Sequence, residues 1–560
     1  SASLDFLYGD YELLTFYGRH AMERNVQRVP VVHGTQKIGS VRGTSSHQYN
    51  PMMILAEKET TEDAGTCYGM SFVYSGGFKA EVEKDQFGQT RIQMGLQEEQ
   101  FSYPLKKGEE FVIPEVILTC SNQGLEKLSQ NLQRCIRKNL CRGKYKEKVR
   151  PVLINSWEAC YFDFTGEDIY HLAEQAKDLG IDMVVLDDGW FGKRNDGTSS
   201  LGDWYPNEEK LKGTLKELAE KINAKGLKFG LWIEPEMTNK DSDLYRAHPD
   251  WLLAEQGKRI CHSRTQYVLD FSKKEVREYI GDMLENLLAE VPVSYIKWDM
   301  NRTFSEVFSN GNDREYQGKV CHKYILGVYE LYERLTSRFP HVLFESCASG
   351  GARFDPGMLY YAPQGWTSDD TDAIERLKIQ YGTSMVYPVS CMGSHVSASP
   401  NHQTNRVTPL ETRADVAYFG TFGYELDLLK LGEEDKAEIR RQIAFMKEKR
   451  DLIQKGTFYR LKSPFEGNET AWMIVSEDQK KALVGYYRVM QPVNVGFKRL
   501  KLKGLKEDTC YKVSGYAYDC YGDELMQVGM ILSDSASGVW KKGVNDKGDF
   551  QAEVFEIVAV

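Results

Sequence analysis

The feature that most constrains the fold is a regular alternation of short apolar runs and helical patterns between about Val149 and Arg450. Strands buried on both faces of a parallel sheet have near-continuous apolar sequences of this kind, and helices connect them. The eight runs are 151–159, 182–190, 228–237, 266–272, 293–301, 341–351, 364–370 and 384–393. Eight strand-then-helix units predict an α/β fold with a closed (β/α)8 barrel.

Helical patterns between these runs carry clear end signals. In 165–180 the apolar residues fall on one face, Thr165 and Asp168 have the spacing of a capping box, and Gly180 stands where a helix commonly ends. The segment 272–288 repeats this device. The helices that the barrel needs are therefore predicted from their own residues.

The regions on either side of the predicted barrel have β texture. Segments 78–84 and 90–95 flank a turn-rich DQFGQ, which predicts a hairpin, and 124–140 predicts a helix that links this region to the barrel. Strand-like runs with Gly- and Asp-containing turns return near the C-terminus and predict an antiparallel sandwich. The predicted domains are an N-terminal β-sandwich region at 1–122, a helical linker at 123–148, the barrel at 149–450 and a C-terminal β-sandwich at 451–560.

The charge balance narrows the choice of partners. A net charge of -10 argues against nucleic acid or an anionic membrane surface as the main partner. No apolar run reaches the length of a membrane span. A neutral small molecule is the expected substrate.

The cysteines bear on location and on metal binding. The 11 cysteines run from Cys67 to Cys520 without a C-x-x-C pair or a Cys/His cluster at zinc spacing, so we predict no metal site. We expect most of them to be buried free thiols in a reducing compartment. The first twenty residues lack the pattern of a signal peptide, and a cytoplasmic location is predicted.

Acidic residues concentrate at the ends of the apolar runs, where barrel enzymes place their chemistry. A single acid in such a position is more often a helix cap or a solvated side chain, and only the repeated placement indicates function. The acids are Asp187, Asp188, Glu234, Glu236, Asp270, Asp299, Glu345, Asp369, Asp370 and Asp372.

Two of these acids have neighbours that suit catalysis. Lys297 precedes Asp299 by two residues, so both project to one face of a strand, and the ammonium would favour the ionised carboxylate that a nucleophile needs. Asp369 stands close to other acids and to Trp366, which predicts a raised pKa suited to a general acid. A buried ion pair at Asp299 and a helix cap at Asp369 remain open as alternatives.

The remaining strand-end residues suit a sugar pocket. Asp187 and Asp188 offer two carboxylates to hydroxyl groups, and the alternative for them is a metal site, although no histidine lies in these motifs. Four tryptophans also fall at strand ends. One alone is more often packing, but four around one barrel mouth favour a sugar pocket; they are Trp157, Trp190, Trp232 and Trp366.

Taken together, these segments resemble the α-galactosidases of glycoside hydrolase family 36, in particular the bacterial enzymes that act on melibiose and raffinose-type sugars. The resemblance runs along essentially the whole chain, with the motifs in the family's order. They are RGTSSHQYNP (42–51), YSGGF (74–78), SWEACYFDF (156–164), LDDGWFG (186–192), WIEPEM (232–237), RTQYVLD (264–270), YIKWDMNR (295–302), ESCASGGARFDPGMLYY (345–361), WTSDDTDAIERLKIQYG (366–382) and GDELM (522–526).

The resemblance implies a role for each matching residue. Asp299 would be the nucleophile and Asp369 the acid/base of a retaining hydrolysis that needs no cofactor. Asp187 and Asp188 would hold the galactose 4- and 6-hydroxyls. Further implied substrate contacts are Lys297 and Arg264 on the side of the 3- and 4-hydroxyls, Trp157 and Trp232 as pocket walls, and Cys347, Ser349 and Gly350 in the loop that faces the 2-hydroxyl.

The resemblance also has consequences for assembly and substrate range. Family members carry a large N-terminal β-supersandwich, and the chain is expected to begin inside it, so a homotetramer is expected only if that domain is complete. A tight loop at the 2-hydroxyl favours galactose over N-acetylgalactosamine. The alternatives are an α-N-acetylgalactosaminidase, a relative that transfers galactose, a metal-dependent barrel hydrolase and a non-catalytic sugar-binding protein.

Overall fold

The computed structural model describes residues 1–261, 263–493, 496–532 and 548–560. Two antiparallel sheets form the N-terminal region, one in the order β1-β8-β7-β4 and the other in the order β3-β2-β5-β6-β9. The strands are β1 (Ala2–Phe6), β2 (Tyr11–Arg19), β3 (Met22–Pro30), β4 (Gly34–Gly39), β5 (Tyr49–Glu57), β6 (Cys67–Phe72), β7 (Phe78–Lys84), β8 (Thr90–Leu96) and β9 (Val116–Ser121).

The predicted hairpin in this region is confirmed. Strands β7 and β8 pair antiparallel from Phe78 opposite Leu96 to Lys84 opposite Thr90. Phe78, Ala80 and Val82 are buried while the residues between them are partly exposed, as the two-residue period of a strand requires. Helix α1 (Gly124–Cys135), extended by a π-helical turn at Ile136–Leu140, follows the second sheet.

The predicted closed barrel is also confirmed. Eight parallel strands close in the order β10-β11-β12-β15-β16-β17-β18-β19. They are β10 (Leu153–Asn155), β11 (Met183–Leu186), β12 (Lys228–Ile233), β15 (Tyr295–Trp298), β16 (Leu343–Ser346), β17 (Gln364–Trp366), β18 (Met392–Ser397) and β19 (Thr421–Glu425). Two further strands, β13 (Met237–Asn239) and β14 (Gln266–Val268), form a separate antiparallel pair.

Two of the eight predicted barrel strands are wrong. The run 266–272 contains β14, which pairs with β13 outside the barrel, and the true eighth strand is β19, which the apolar pattern missed. The run 384–393 covers a helix end and only the first residues of β18. Strand β18 has the sequence MGSHVS, and its polar residues do not give the near-continuous apolar signal on which the prediction relied.

The helices follow their strands as the alternation predicts. They are α2 (Trp157–Cys160), α3 (Gly166–Leu179), α4 (Glu208–Leu211), α5 (Leu215–Ala224), α6 (Asp243–Ala247), α7 (Lys274–Glu290), α8 (Arg314–Gln317), α9 (Val320–Arg338), α10 (Pro356–Tyr361), α11 (Ala373–Ser384), α12 (Leu410–Ala417) and α13 (Glu433–Lys455).

The end signals of these helices are borne out at one helix and wrong at another. Helix α3 has the predicted Thr165–Asp168 capping box and ends at Gly180, whose φ is 92°. Helix α7 has no side-chain cap. Ser272, the expected cap of α7, donates its hydroxyl to Asp270 at 2.5 Å instead.

A six-stranded antiparallel sheet forms the C-terminal region in the order β20-β21-β22-β27-β24-β25, beside a two-stranded pair of β23 with β26. Alternate residues of β21 (Glu469–Val475) pack into two different hydrophobic cores. Trp472 and Ile474 belong to the core shared with the barrel, whereas Met473 packs within the C-terminal region. The strands are β20 (Thr457–Lys462), β21 (Glu469–Val475), β22 (Lys481–Arg488), β23 (Arg499–Leu500), β24 (Cys510–Val513), β25 (Cys520–Tyr521), β26 (Met530–Ile531) and β27 (Gln551–Ala559).

All 11 cysteines lie in the described part of the chain, and all are free thiols. The expectation that most are buried is wrong, because only Cys67, Cys141, Cys347, Cys391 and Cys520 are buried. Between them, the other six are partly or fully exposed.

Candidate active site

A cavity of about 310 Å³ opens at the C-terminal ends of the barrel strands. It brings together eight of the eleven residues predicted from the sequence, namely Trp157, Asp187, Asp188, Trp232, Arg264, Lys297, Asp299 and Asp369. Cys347, Ser349 and Gly350 are not among its lining residues; they lie in the loop after β16, which contacts Asp299 and Asp369. Strand ends of one barrel converge on one opening, and this convergence is why residues so distant in sequence meet here.

Asp299 directly follows β15 and receives four hydrogen bonds. The indole of Trp232 and the side-chain amide of Asn301 donate to Oδ2 at 3.1 and 2.8 Å. The backbone N–H groups of Met300 and Ser349 donate to Oδ1 at 2.8 and 3.2 Å. Four donors fix the orientation of a carboxylate and stabilise its negative charge.

Asp369 follows β17 and is held through both of its oxygens. The indole of Trp366 donates to Oδ1 at 3.1 Å, and Nε2 of His20 lies 2.9 Å from Oδ2. Burial raises the pKa of the Asp369 carboxyl, but the His20 hydrogen bond and the positive charges of Lys297 and Arg264 outweigh burial, so its pKa lies below the usual value.

The predicted rise in the pKa of Asp369 is therefore wrong. The prediction assumed that the nearest charged neighbour is another carboxylate. The nearest one in the structure is an imidazole that hydrogen-bonds to the carboxyl group and stabilises its ionised form. The helix cap that was the alternative for Asp369 is supplied by Asp372, which accepts from the N–H groups at the start of α11.

Asp187 and Asp188 directly follow β11 and have separate cationic partners. Lys297 Nζ lies 3.1 Å from Asp187 Oδ2, so the lysine pairs with Asp187 rather than with Asp299 as predicted. Arg194 binds both oxygens of Asp188 at 2.8 Å. Burial raises the pKa of Asp187, although Lys297 lowers it. Burial lowers the pKa of Lys297, but Asp187 and other acidic neighbours outweigh burial and raise that pKa well above its usual value.

The tryptophans divide into pocket and core. Trp157, Trp232 and Trp366 line the cavity. Trp190 is fully buried, and its indole donates to the carbonyl of Trp232 at 3.0 Å, so it supports the wall from behind and the expectation of four pocket tryptophans is wrong.

The loop after β16 packs against both aspartates. Ser349 donates its N–H to Asp299, and Arg264 Nη1 donates to the Ser349 hydroxyl at 3.4 Å. Gly350 has a φ of 76°, and a Cβ added there would lie 2.5 Å from the backbone nitrogen of Asp369. Cys347 is buried, which raises the pKa of its thiol well above the usual value.

Several strand-end acids are structural. Glu236 forms a fully buried ion pair with Arg353 and accepts from Tyr324 at 2.6 Å. Asp270 accepts from the hydroxyls of Ser272 and Ser309. These two acids are therefore buried, paired groups of the fold, and neither is the helix cap or the solvated side chain expected of an isolated acid.

Glu234 is a separate case because it lies close to Asp299. It accepts from Gln266 Nε2 at 3.0 Å and from the backbone N–H of Asn301. Burial and the charge of Asp299 raise the pKa of Glu234 to about 8. At pH 7 this rise favours the neutral carboxyl group, which adds no second negative charge beside Asp299.

Some lining residues were missed by the sequence analysis. They are His20, Glu158, Asn301, Thr371, His402, Gln403 and Glu425. Glu158 and Asn301 stand inside motifs that were recognised, in SWEACYFDF and YIKWDMNR, and their position beside a named residue was an available signal. His402 and Gln403 lie in the loop after β18, the strand whose apolar signal was weak.

The turn between β2 and β3, together with the first residues of β3, connects the N-terminal region to the pocket. Arg24 donates to the carbonyls of Gly351 and Thr367 and to the hydroxyl of Thr383. Glu23 accepts from the N–H of Gly351 at 3.2 Å and from the Ser368 hydroxyl at 2.5 Å. These buried contacts join the turn to the two loops that flank Asp369.

The described residues contain no group of three or more His, Cys, Asp or Glu side chains arranged to hold a metal ion. Across the same part of the chain, no helix combines the length and the apolar character needed to cross a membrane.

Comparisons with known proteins cover the whole chain. The glycosyl hydrolase family 36 N-terminal domain matches residues 1–106, the Melibiase family matches 110–456, and the family 36 C-terminal domain matches 469–557. The bifunctional alpha-galactosidase/sucrose kinase AgaSK of Mediterraneibacter gnavus is 56% identical over 534 residues, which are 95% of this chain and 56% of that protein. The alpha-galactosidase AgaA of Geobacillus stearothermophilus is 51% identical over 545 residues, which are 97% of this chain and 75% of that protein.

Solved structures agree with these matches. The AgaA crystal structure superposes with a TM-score of 0.96 at 49% identity and covers 100% of this chain and 76% of its own. The galactosidase domain of AgaSK gives a TM-score of 0.95 at 53% identity, covering 100% of this chain and 75% of that chain. AgaA variants have been solved in complex with raffinose and with stachyose. The chain belongs to glycoside hydrolase family 36.

Proposed function

We propose that this chain is a retaining α-galactosidase that releases terminal α-linked galactose from oligosaccharides such as melibiose and raffinose. The observation that carries the proposal is that Asp299 and Asp369 line one cavity together with the buried pair Asp187 and Asp188. Relatives that share half of its sequence are alpha-galactosidases, and one of them has been solved with raffinose.

The proposed mechanism is a double displacement. Asp299 attacks the anomeric carbon while Asp369 protonates the leaving oxygen, and Asp369 then takes a proton from the water that releases galactose. The four donors around Asp299 orient it as a nucleophile. A retaining enzyme has its carboxyl groups roughly 5–5.5 Å apart and an inverting one about 6.5–9.5 Å, and we predict the shorter spacing here.

The buried aspartates account for the choice of sugar. Each oxygen of Asp188 accepts one hydrogen bond from Arg194 and keeps a second acceptor site. Asp187 is held differently: its Oδ2 accepts from both Asn155 and Lys297, and its Oδ1 accepts from the backbone N–H of Asp188 and keeps a second acceptor site. We assign to this pair the 4- and 6-hydroxyls of galactose, to Lys297 and Arg264 the side of the 3- and 4-hydroxyls, and to Trp157 and Trp232 the walls of the pocket.

The test of the mechanism is Asp299→Gly, assayed with a nitrophenyl α-galactoside. Turnover should be abolished, and azide should partly restore it by attacking from the vacated face and giving the β-galactosyl azide. Asp282→Gly, at an exposed carboxylate on α7, is the matched control and should keep normal activity. Activity that survives Asp299→Gly unaltered would refute the nucleophile.

The second candidate is an α-N-acetylgalactosaminidase. We assign the loop of Cys347, Ser349 and Gly350 to the 2-hydroxyl, and its tight backbone beside Asp369 disfavours a 2-acetamido group. Comparing the nitrophenyl α-galactoside with its 2-acetamido analogue separates the two. Faster turnover of the acetamido compound would favour the α-N-acetylgalactosaminidase over the α-galactosidase. Sugar products longer than the substrate would indicate that the enzyme transfers galactose.

Two classes outside glycosidases are tested in the same assays. A metal-dependent hydrolase would lose activity when a chelator is added, and a non-catalytic sugar-binding protein would bind galactose without turnover. We expect neither result, because the acids of the pocket are held by Arg, Lys, Asn and Trp donors in positions that suit a two-carboxylate hydrolysis.

We also propose a cytoplasmic location and a homotetramer if the N-terminal domain is complete. Eleven free cysteines support a reducing compartment. Light scattering on the full-length protein tests the assembly, and a monomer would contradict it. Fractionation of cells tests the location.

A further inference from the structure

The N-terminal region supplies a titratable side chain to the barrel pocket. His20 lies between β2 and β3, and its Nε2 is 2.9 Å from Oδ2 of Asp369, although 349 residues separate the two in sequence. The side chain is 52% exposed at the pocket mouth. The inference below rests on the proposed role of Asp369 as the acid/base.

The turn that carries His20 is anchored to the Asp369 loop by buried contacts. Ala21 and Arg24 have φ values of 61° and 55°, which non-glycine residues rarely adopt. Arg24 and Glu23 form the hydrogen bonds to Gly351, Thr367 and Ser368 described above. His20 and Asp369 are therefore held in a fixed relation by contacts that do not involve either side chain.

We propose that His20 is a positioning residue that shares one proton with Asp369, so that the imidazole–carboxyl pair, and not the carboxyl group alone, stores the proton used in catalysis. The proton lies on the imidazole at rest and on the carboxyl group when it is transferred. The indole of Trp366 holds the other carboxyl oxygen throughout.

The proton count closes over one turnover. In the first step the bond between the anomeric carbon and the glycosidic oxygen breaks, Asp299 bonds to that carbon, and the shared proton goes to the leaving oxygen. The pair is left as a neutral imidazole and a carboxylate. In the second step water bonds to the anomeric carbon, the ester to Asp299 breaks, and the water proton returns to the pair.

The charges around the pair favour this arrangement. The hydrogen bond to Asp369 raises the pKa of His20 above 6.5, although burial opposes this rise. The charge of Glu23 raises the same pKa further, and the charge of Arg264 lowers it. His47 also faces the pair, with its ring centroid 5.6 Å from that of His20. The other charged or titratable groups that face it come from the barrel and are Lys297, Asp299, Cys347, Arg376 and Glu425.

Removing the imidazole forces the carboxyl group to hold the proton alone. A carboxyl group flanked by Lys297 and Arg264 releases its proton at lower pH than a pair that contains a histidine. The alkaline limb of kcat/KM should therefore move to lower pH. A residue that only supports the fold would lower kcat/KM by the same factor at every pH.

The experiment is the pH profile of kcat/KM on raffinose for wild type, His20→Gln and His20→Ala. Both variants should shift the alkaline limb down by about one pH unit or more, so that activity at pH 8 falls about tenfold relative to pH 5. His33→Gln, at an exposed histidine of the same region, is the matched control and should keep the wild-type limb. Thermal unfolding of each variant shows that it is folded.

A second substrate separates the possible failures. The dinitrophenolate group of a dinitrophenyl α-galactoside departs without being protonated, so the rate of the first step on this substrate should change by less than about threefold in both His20 variants. If the limb does not move in either variant, or if both substrates lose activity equally, the inference about His20 is wrong. If Asp369→Ala keeps full activity on raffinose, the acid/base assignment itself fails.

Discussion

Gly350→Ala is the substitution for which the structure gives the clearest magnitude. A Cβ at this position would lie 2.5 Å from the Asp369 backbone nitrogen and 2.9 Å from Glu23 Oε1. The loops of Gly350 and Asp369 must move apart by about 0.9 Å, the difference between 2.5 Å and the 3.4 Å at which ordinary contact begins. Because the closest atom is backbone, side-chain rotation cannot relieve the clash.

The displacement acts on the proposed acid/base. A misplacement of about 1 Å in a catalytic group costs on the order of 100-fold in rate, so kcat/KM on raffinose should fall by about that factor. The positive φ of Gly350 adds a stability cost of about 1–2 kcal/mol for an alanine. Activity and the free energy of unfolding should therefore both fall, for separate reasons.

Gly88→Ala is the matched control for the cost of the backbone conformation. Gly88 has a φ of 83° in the β7–β8 turn, and a Cβ there has nothing within 4 Å. Its unfolding free energy should fall by the same 1–2 kcal/mol while kcat/KM stays within about twofold of wild type. Urea denaturation gives the unfolding free energy of each variant, and kcat/KM is measured on raffinose. Equal kcat/KM values for the Gly350 and Gly88 variants would refute the reasoning.

Three further predictions concern the groups around the two aspartates. Asp369→Ala should lower kcat/KM on raffinose by about 10²–10⁴-fold while the first-step burst with a dinitrophenyl α-galactoside persists, measured by stopped flow; loss of the burst would contradict the role. Arg194→Met leaves the buried Asp188 carboxylate without its bidentate partner. The free energy of unfolding should fall by about 3–5 kcal/mol and KM should rise, and an unchanged denaturation curve would contradict this prediction. The pKa of Glu234 in the folded protein, about 8, exceeds its ordinary value of 4.5, so the stability that Glu234 contributes is lost as pH rises between these values. Glu234→Gln should remove this part of the dependence of the unfolding free energy on pH. Chemical denaturation at pH 5 and pH 8 measures it, and the same dependence in wild type and variant would refute the prediction.

The barrel and its charged pocket could be predicted because their residues carry local signals. Asp187, Asp299 and Asp369 each follow a short apolar run, and parallel strands of one barrel end at one face. The position of each acid directly after an apolar run was therefore enough to predict that these acids lie close together. It did not predict which partner each of them has, and Lys297 pairs with Asp187 rather than with its near neighbour Asp299.

The remaining features depend on tertiary contacts or on polar strands. Strand β18 was largely missed because its serines and histidine interrupt the apolar pattern. Gln266–Val268 was assigned to the barrel because a short strand that pairs outside the barrel can lie in an apolar run of the same kind. His20 lies on an exposed turn far from the barrel in sequence. Only the docking of that turn through Arg24 and Glu23 shows that it reaches the pocket.

The most direct test of the two-aspartate mechanism is to trap the sugar on the enzyme. Incubation with a 2-deoxy-2-fluoro galactosyl substrate that carries a good leaving group, followed by proteolysis and mass spectrometry, locates the covalent bond. The mechanism predicts one fluorogalactosyl group on the peptide that contains Asp299, formed in wild type and absent in Asp299→Asn. A label on any other residue would contradict it. So would the absence of any label together with β-galactose as the first product released from an unmodified substrate.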